Sequence, residues 1–131
     1  MAATSLTNAG RAVRQLGDLD RATALQGEAL RGFQGLENAW GVAVCLDSFA
    51  GLAGDRGDPL RAARLYGAEE AIRERSAIAL WPTIGSEHDA GMAATAAALG
   101  EGAWARARAQ GRAMTQAEAI AETRALAALH S

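Results

Sequence analysis

Gly17-Asp18-Leu19-Asp20-Arg21-Ala22-Thr23-Ala24-Leu25-Gln26-Gly27 returns forty residues on as Gly57-Asp58-Pro59-Leu60-Arg61-Ala62-Ala63-Arg64-Leu65-Tyr66-Gly67. Gly, Asp, Arg, Ala, Leu and Gly match at the same offsets. A unit of this length, apolar at helical spacing, is the mark of stacked helix pairs, each of which buries its apolar stripe against its neighbours. The phrase therefore predicts an all-α fold: a right-handed α-solenoid of about three antiparallel helix pairs with a C-terminal capping helix. Such an array displays surfaces and does not concentrate reactive groups.

Working outward, Thr4 to Leu16 reads as a helix, with Leu6, Ala9 and Val13 on one face. Gly17 stops it, and Asp18 is placed to cap a second helix running to about Gln34. Asn38 can cap a third, from Ala39 to about Gly54. Asp58-Pro59, an N-cap carboxylate before a proline in the first helical position, starts a fourth that ends near Arg75. Ile78, Leu80, Trp81 and Ile84 are apolar, but Pro82 and Gly85 interrupt any helix there, so 76–85 is expected to be an apolar loop. Ser86 with Asp89 resembles a capping box and would open a fifth helix ending at Gly100. A sixth holds Trp104 and ends near Gly111. Thr115 with Glu118 is a cleaner capping box and opens the last helix, towards Leu129. The 131 residues thus form one domain: repeat 1 at about 4–36, repeat 2 at about 38–75, the loop at 76–85, and a degenerate repeat and cap at 86–131.

Half the residues are hydrophobic but only 5% are aromatic, and alanine fills about a quarter of the chain, so the core is built from small side chains and closely packed helices. All thirteen basic residues are Arg, a bias better explained by a GC-rich genome than by a mechanism. A formal charge of −2 speaks against a nucleic-acid surface. No apolar run reaches membrane-spanning length, and the start of the chain lacks a secretion signal. Cys45 is the single cysteine, which leaves neither a disulfide framework nor a thiolate metal site. The expected setting is the cytoplasm.

The small residues at the helix crossings carry a resemblance. Gly10, Ala22 and Ala29 in the first pair, and Ala50 and Ala62 in the second, are flanked by Leu6, Ala9 and Val13 and by Leu46, Phe49, Ala53 and Tyr66. This is similar to the tetratricopeptide repeat, in which small residues let the two helices of a pair approach. Gln26 and Glu69 depart from that pattern: it expects a large apolar residue at the first and Ala at the second. The forty-residue period, the stretch Ala62 to Ala71, and Gly111-Arg112-Ala113-Met114-Thr115 followed by Glu118-Ala119-Ile120 look like the C-terminal helical regions of large bacterial ATPase-type regulators of the LuxR or AfsR kind. The resemblance implies a protein-interaction or sensor module of a bacterial signalling or transcriptional regulator. It also implies that the first helix of each pair lines a concave groove, which places Thr7, Arg11, Arg14, Val44, Asp47 and Gly51 against a partner segment. Arg11 and Arg14 could there grip a carboxylate or an acidic peptide.

No catalytic, cofactor-binding or metal-binding constellation is expected. Glu87-His88-Asp89 is the one tempting cluster, but consecutive helical residues point apart, and acidic groups in a first turn offset the helix dipole. His130 lies at the chain's end. Arg56-Gly57-Asp58 spells an adhesion tripeptide but falls on a helix stop and an N-cap. Cys45 reads as a small buried thiol, and Trp40, Trp81 and Trp104 as plugs in an alanine-rich core. Trp81, in the irregular apolar stretch, also frames an alternative: a domain that senses a small apolar effector in a pocket beneath that loop. The expected partners are a protein or peptide, adjacent domains of a larger regulator, or a second copy through the Leu6, Ala9 and Val13 stripe. Direct nucleic-acid or membrane binding is not expected.

Overall fold

The computed structural model describes residues 2–77 and 82–129, and those residues are almost wholly helical, with no strand among them. The helices are α1 (Ala3–Gln15), α2 (Leu19–Gly35), α3 (Ala39–Asp55), α4 (Pro59–Ser76), α5 (Pro82–Leu99), α6 (Glu101–Arg112) and α7 (Gln116–Leu129). Their starts are chemical. The side chains of Asp18, Asn38 and Asp58 accept hydrogen bonds from the N–H groups of Arg21, Gly41 and Arg61 at 3.1, 3.0 and 3.2 Å. Thr115 and Glu118 exchange side chain-to-backbone bonds at 2.9 and 3.1 Å, the reciprocal capping box. The turns before α2 and α4 place Gly17 and Gly57 at φ values of 89° and 77°, a region that costs glycine nothing and explains why the repeated phrase opens on it.

One boundary differs from the expectation. Pro82 is the first residue of α5, where a missing N–H is no loss, so the interrupting loop is shorter than 76–85. Gly85 and Ser86 lie inside the helix, and Ser86 with Asp89 does not cap its start. Glu87 and His88 therefore sit in the second turn. Ile78, Leu80, Trp81 and His130 lie outside the described residues.

The first four helices form two hairpins, α1 with α2 and α3 with α4, and α2 packs on α3 between them. Ala22, Ala29, Ala50 and Ala62 are fully buried, while Phe33, Leu46, Phe49, Leu65 and Tyr66 fill the grooves beside them. Gln26, where a large apolar residue was expected, is buried because its two polar atoms are both used. Its Oε1 accepts from the Thr7 hydroxyl at 2.7 Å, and its Nε2 donates to the Thr7 carbonyl at 3.0 Å. Of the stripe on α1, Leu6 is buried in the same core, Val13 packs against it, and Ala9 is half-buried. Trp40 meets the Phe33 ring edge-on at 6.3 Å between centroids, and Trp104 packs on the core as well.

The third pair is built differently. α6 lies along α4 and touches α5 only lightly. Two glycines make this possible: a Cβ on Gly67 would stand 2.1 Å from the Arg108 carbonyl oxygen, and one on Gly111 1.8 Å from that of Arg64. The backbones therefore meet directly. Arg108 adds a hydrogen bond to Glu70 at 2.8 Å, and Arg112 pairs with Glu74. α7 returns across α2, α3 and α4, burying Ile120 and Leu126, while its Glu122 accepts from Arg64 at 2.9 Å. No helix among the described residues is long and apolar enough to cross a membrane.

Candidate functional site

Among the described residues, two places bring chemistry-bearing side chains together: a buried polar cluster under α5, and an open groove between α2 and α7.

The cluster begins with three helices. α3 contributes Asp47, α4 contributes Glu69, Arg73 and Tyr66, and α5 contributes His88. His88 Nδ1 lies 2.5 Å from Asp47 Oδ1 and 3.2 Å from Glu69 Oε1. Arg73 donates to both oxygens of Glu69, at 2.6 and 3.1 Å. Tyr66 closes the cluster with its ring edge-on to the imidazole, 5.4 Å between centroids. Asp47, Glu69 and His88 are all buried, and Glu69 completely so. Burial drives the Glu69 carboxyl up to about 7 despite the opposing hydrogen bonds from Arg73, and the charge of Asp47 adds to the rise. Burial alone would lower the His88 imidazole, but the Asp47 hydrogen bond and the Glu69 and Asp47 charges outweigh it, so its pKa is raised. Arg73 and His88 thus face the carboxyl groups of Asp47 and Glu69 in a largely buried space.

Among the described residues, Asp47, Glu69 and His88 are the one group of metal-ligating types whose donor atoms lie within 4.8 Å of one another. Several of those atoms already serve one another: His88 Nδ1 is hydrogen-bonded to Asp47 Oδ1, and Arg73 occupies both oxygens of Glu69. The cavity beside Asp47, Tyr66 and Glu87 measures about 10 Å³, room for a single water. Chemically the cluster is a fastener that ties α5 to α3 and α4.

The residues expected to line a concave groove lie around this fastener. Thr7 and Val44 are 1% exposed, and Asp47 is bound to His88. Arg11 grips Glu87 of α5 through two hydrogen bonds, at 2.8 and 3.2 Å. Arg14 grips Asp55 at 2.5 and 3.1 Å, its guanidinium lying over Gly51. The six thus share one side of the α1–α3 layer, and α5 itself answers Arg11 and Asp47. Trp81 lies outside the described residues. Cys45 is fully buried near the Thr7 hydroxyl, and burial pushes its thiol up to about 12. A thiol-specific aromatic disulfide should therefore label it only as the chain unfolds. Labelling of the native protein at the rate of an exposed cysteine would contradict that burial.

The groove on the opposite side has walls from α2 and α7, a floor that includes Phe49 and Ile120, and a volume of about 500 Å³. Arg31 and Arg124 stand exposed on its rim, and neither has an ion-pair partner among the described residues. Arg56 pairs with Asp20 at one end, yet its Nε is buried without an acceptor. An apolar floor with a few unanswered polar groups is the usual make-up of a binding site. Reading the sequence helix by helix misses this groove, because it arises only where α7 folds back over the earlier pairs. The available signal was the pair of equivalent glycines, Gly27 and Gly67.

No family model, curated protein or solved structure matches the chain.

Proposed function

We propose that the chain is a tetratricopeptide-like interaction module, part of a bacterial signalling or transcriptional regulator, that takes a partner segment into the groove between α2 and α7. The single observation that carries this reading is the groove itself: a cavity of about 500 Å³ over the buried side chains of Leu30, Phe49 and Ile120, with two exposed arginines on its rim that have no ion-pair partner among the described residues. The repeated phrase supports the tetratricopeptide likeness, since both copies place an alanine at a helix crossing, Ala22 and Ala62, each fully buried. Binding on the expected concave side would have to compete with α5, which engages Arg11 and Asp47. The α2–α7 side has no such competitor among the described residues.

The test is selection of random displayed peptides on the immobilised chain, followed by rebinding to Ala127→Arg, which places a long cation in the groove from α7. Peptides that bind the native chain and lose at least tenfold on Ala127→Arg are expected. Failure to select any binder, together with a small apolar metabolite that raises the melting midpoint only when Ala127 is intact, would replace this reading with effector sensing.

A further inference from the structure

The forty-residue phrase makes α2 and α4 equivalent helices, so each position on one has a counterpart on the other. On α4 the face formed by Arg64, Gly67, Glu70 and Glu74 is met by α6, which touches backbone at Gly67 and Arg64 and answers Glu70 and the exposed Glu74 with Arg108 and Arg112. The counterparts on α2 are Ala24, Gly27, Leu30 and Gln34, and all four line the open groove. One helix of the pair has its cover; on the other, among the described residues, no helix crosses at the glycine, although Leu30 is already buried at the base of the groove.

We propose that this face receives an α-helix from another protein, crossing α2 at Gly27 as α6 crosses α4 at Gly67. The incoming helix carries Gly or Ala at the crossing and carboxylates on the adjoining turns. The inference rests on the interaction-module reading and names its partner's chemistry.

Three observations specify that helix. First, the space at the crossing exists: a Cβ on Gly27 meets only the Arg31 Nη1, at 3.6 Å, whereas one on Gly67 would strike backbone. Close approach between helices needs small residues on both sides, so the partner supplies one too. Second, the charge is reversed relative to α4. In place of two glutamates, the α2 face has Leu30 and Gln34, with Arg31 beside them and Arg124 opposite on α7. Of the two acids on the rim, Asp20 is engaged by Arg56, which leaves Glu28 against two arginines. A partner with arginines in the α6 arrangement would be repelled, while carboxylates would meet planar donors suited to them. Third, Arg56 Nε is a buried donor without an acceptor, which an incoming acceptor at that end of the groove would satisfy.

The probe is a synthetic peptide of residues 100–113, the α6 segment, with Arg108→Glu and Arg112→Glu. A lactam on its solvent side holds it helical, because so short a helix is marginal in water. The unaltered α6 peptide, equally constrained, is the comparator. Fluorescence polarisation on the full chain should show the altered peptide binding at least tenfold tighter than the unaltered one. Gly27→Leu, which keeps the fold because its side chain enters open space, should weaken binding at least tenfold with a melting midpoint that does not fall. Arg124→Glu, at an exposed position, should shift the preference towards the arginine-bearing peptide.

Equal affinity for both peptides, no binding of either, or indifference to Gly27→Leu would each overturn the proposal. So would self-association of the chain that Gly27→Leu abolishes, since the occupant would then be a second copy. Displayed peptides that bind in the Ala127→Arg-sensitive manner while the altered helix does not bind would overturn helix docking alone and leave the interaction module standing.

Discussion

Gly67→Ala is expected to destabilise the folded chain by about 2–3 kcal/mol, while Gly27→Ala at the equivalent position of the first repeat should stabilise it by roughly 0.5–1 kcal/mol. The two substitutions are the same chemistry in the same phrase, and each gains the same helix propensity. They differ in what the new methyl group meets. At Gly27 the nearest atom is the end of a flexible arginine at 3.6 Å; at Gly67 it is the Arg108 carbonyl oxygen at 2.1 Å, with the Arg112 nitrogen at 3.0 Å. Backbone cannot swing aside, so α4 and α6 must part. That movement stretches the Arg108–Glu70 and Arg112–Glu74 pairs, although their partial exposure makes them a minor part of the loss. Against a total stability of roughly 5–15 kcal/mol, the substitution should lower the melting midpoint by roughly 6–10 °C. Gly111→Ala should behave alike. The double variant should cost less than the sum, because the helices separate only once. Thermal melts of the four variants check this. A Gly67→Ala chain as stable as the native one would mean that α6 does not cross α4 there.

The contrast between those two glycines also marks the limit of what the sequence disclosed. The first four helices were legible nearly to the residue, because Asp18, Asn38 and Asp58 act locally: a short side chain bonds an N–H three positions on and needs no distant help. Pro82 was misjudged for the opposite reason, since proline ends a helix only when it lies inside one, and the chain beyond it decided that it lies at the start. Gln26 and Glu69, which broke the repeat pattern, turned out to be the buried polar positions. A polar residue in an apolar slot persists only with a partner, and those partners, Thr7, Arg73 and His88, lie up to 19 residues away along the chain. The α2–α7 groove was beyond local reading altogether. Nothing in α7's pattern of apolar positions says that it returns to α2, α3 and α4 instead of extending the array.

Stability should fall as the pH rises through neutrality, and the cluster of Asp47, Glu69, Arg73 and His88 should be the reason. The Glu69 carboxyl stands at about 7 in the folded chain against 4.5 ordinarily. Ionising it is therefore harder when folded, and the folded state loses ground as the pH rises from 4.5 through about 7. The His88 imidazole is raised above its ordinary 6.5, so its contribution is complete below that value and disappears as the pH climbs through the folded pKa. Both groups make the native chain hold more protons than the unfolded one near neutrality, and the linkage relation then gives a negative slope of stability against pH. The sign survives any division of the proton between the two residues, because they titrate as a coupled unit. Around them, Arg73 favours the ionised carboxylate, Asp47 disfavours it, and Tyr66, its own hydroxyl raised by burial, stays neutral through this range. Urea unfolding at pH 5.5 and pH 9 should differ by on the order of 2 kcal/mol. Amides of α5 should lose protection from exchange first, since His88 is the group that ties that helix to Asp47 and Glu69. Glu69→Gln replaces the raised carboxyl by a neutral group of the same shape. It should leave stability at pH 5.5 little changed yet remove most of the slope, whereas a slope that persists undiminished in Glu69→Gln would place the pH dependence elsewhere in the chain.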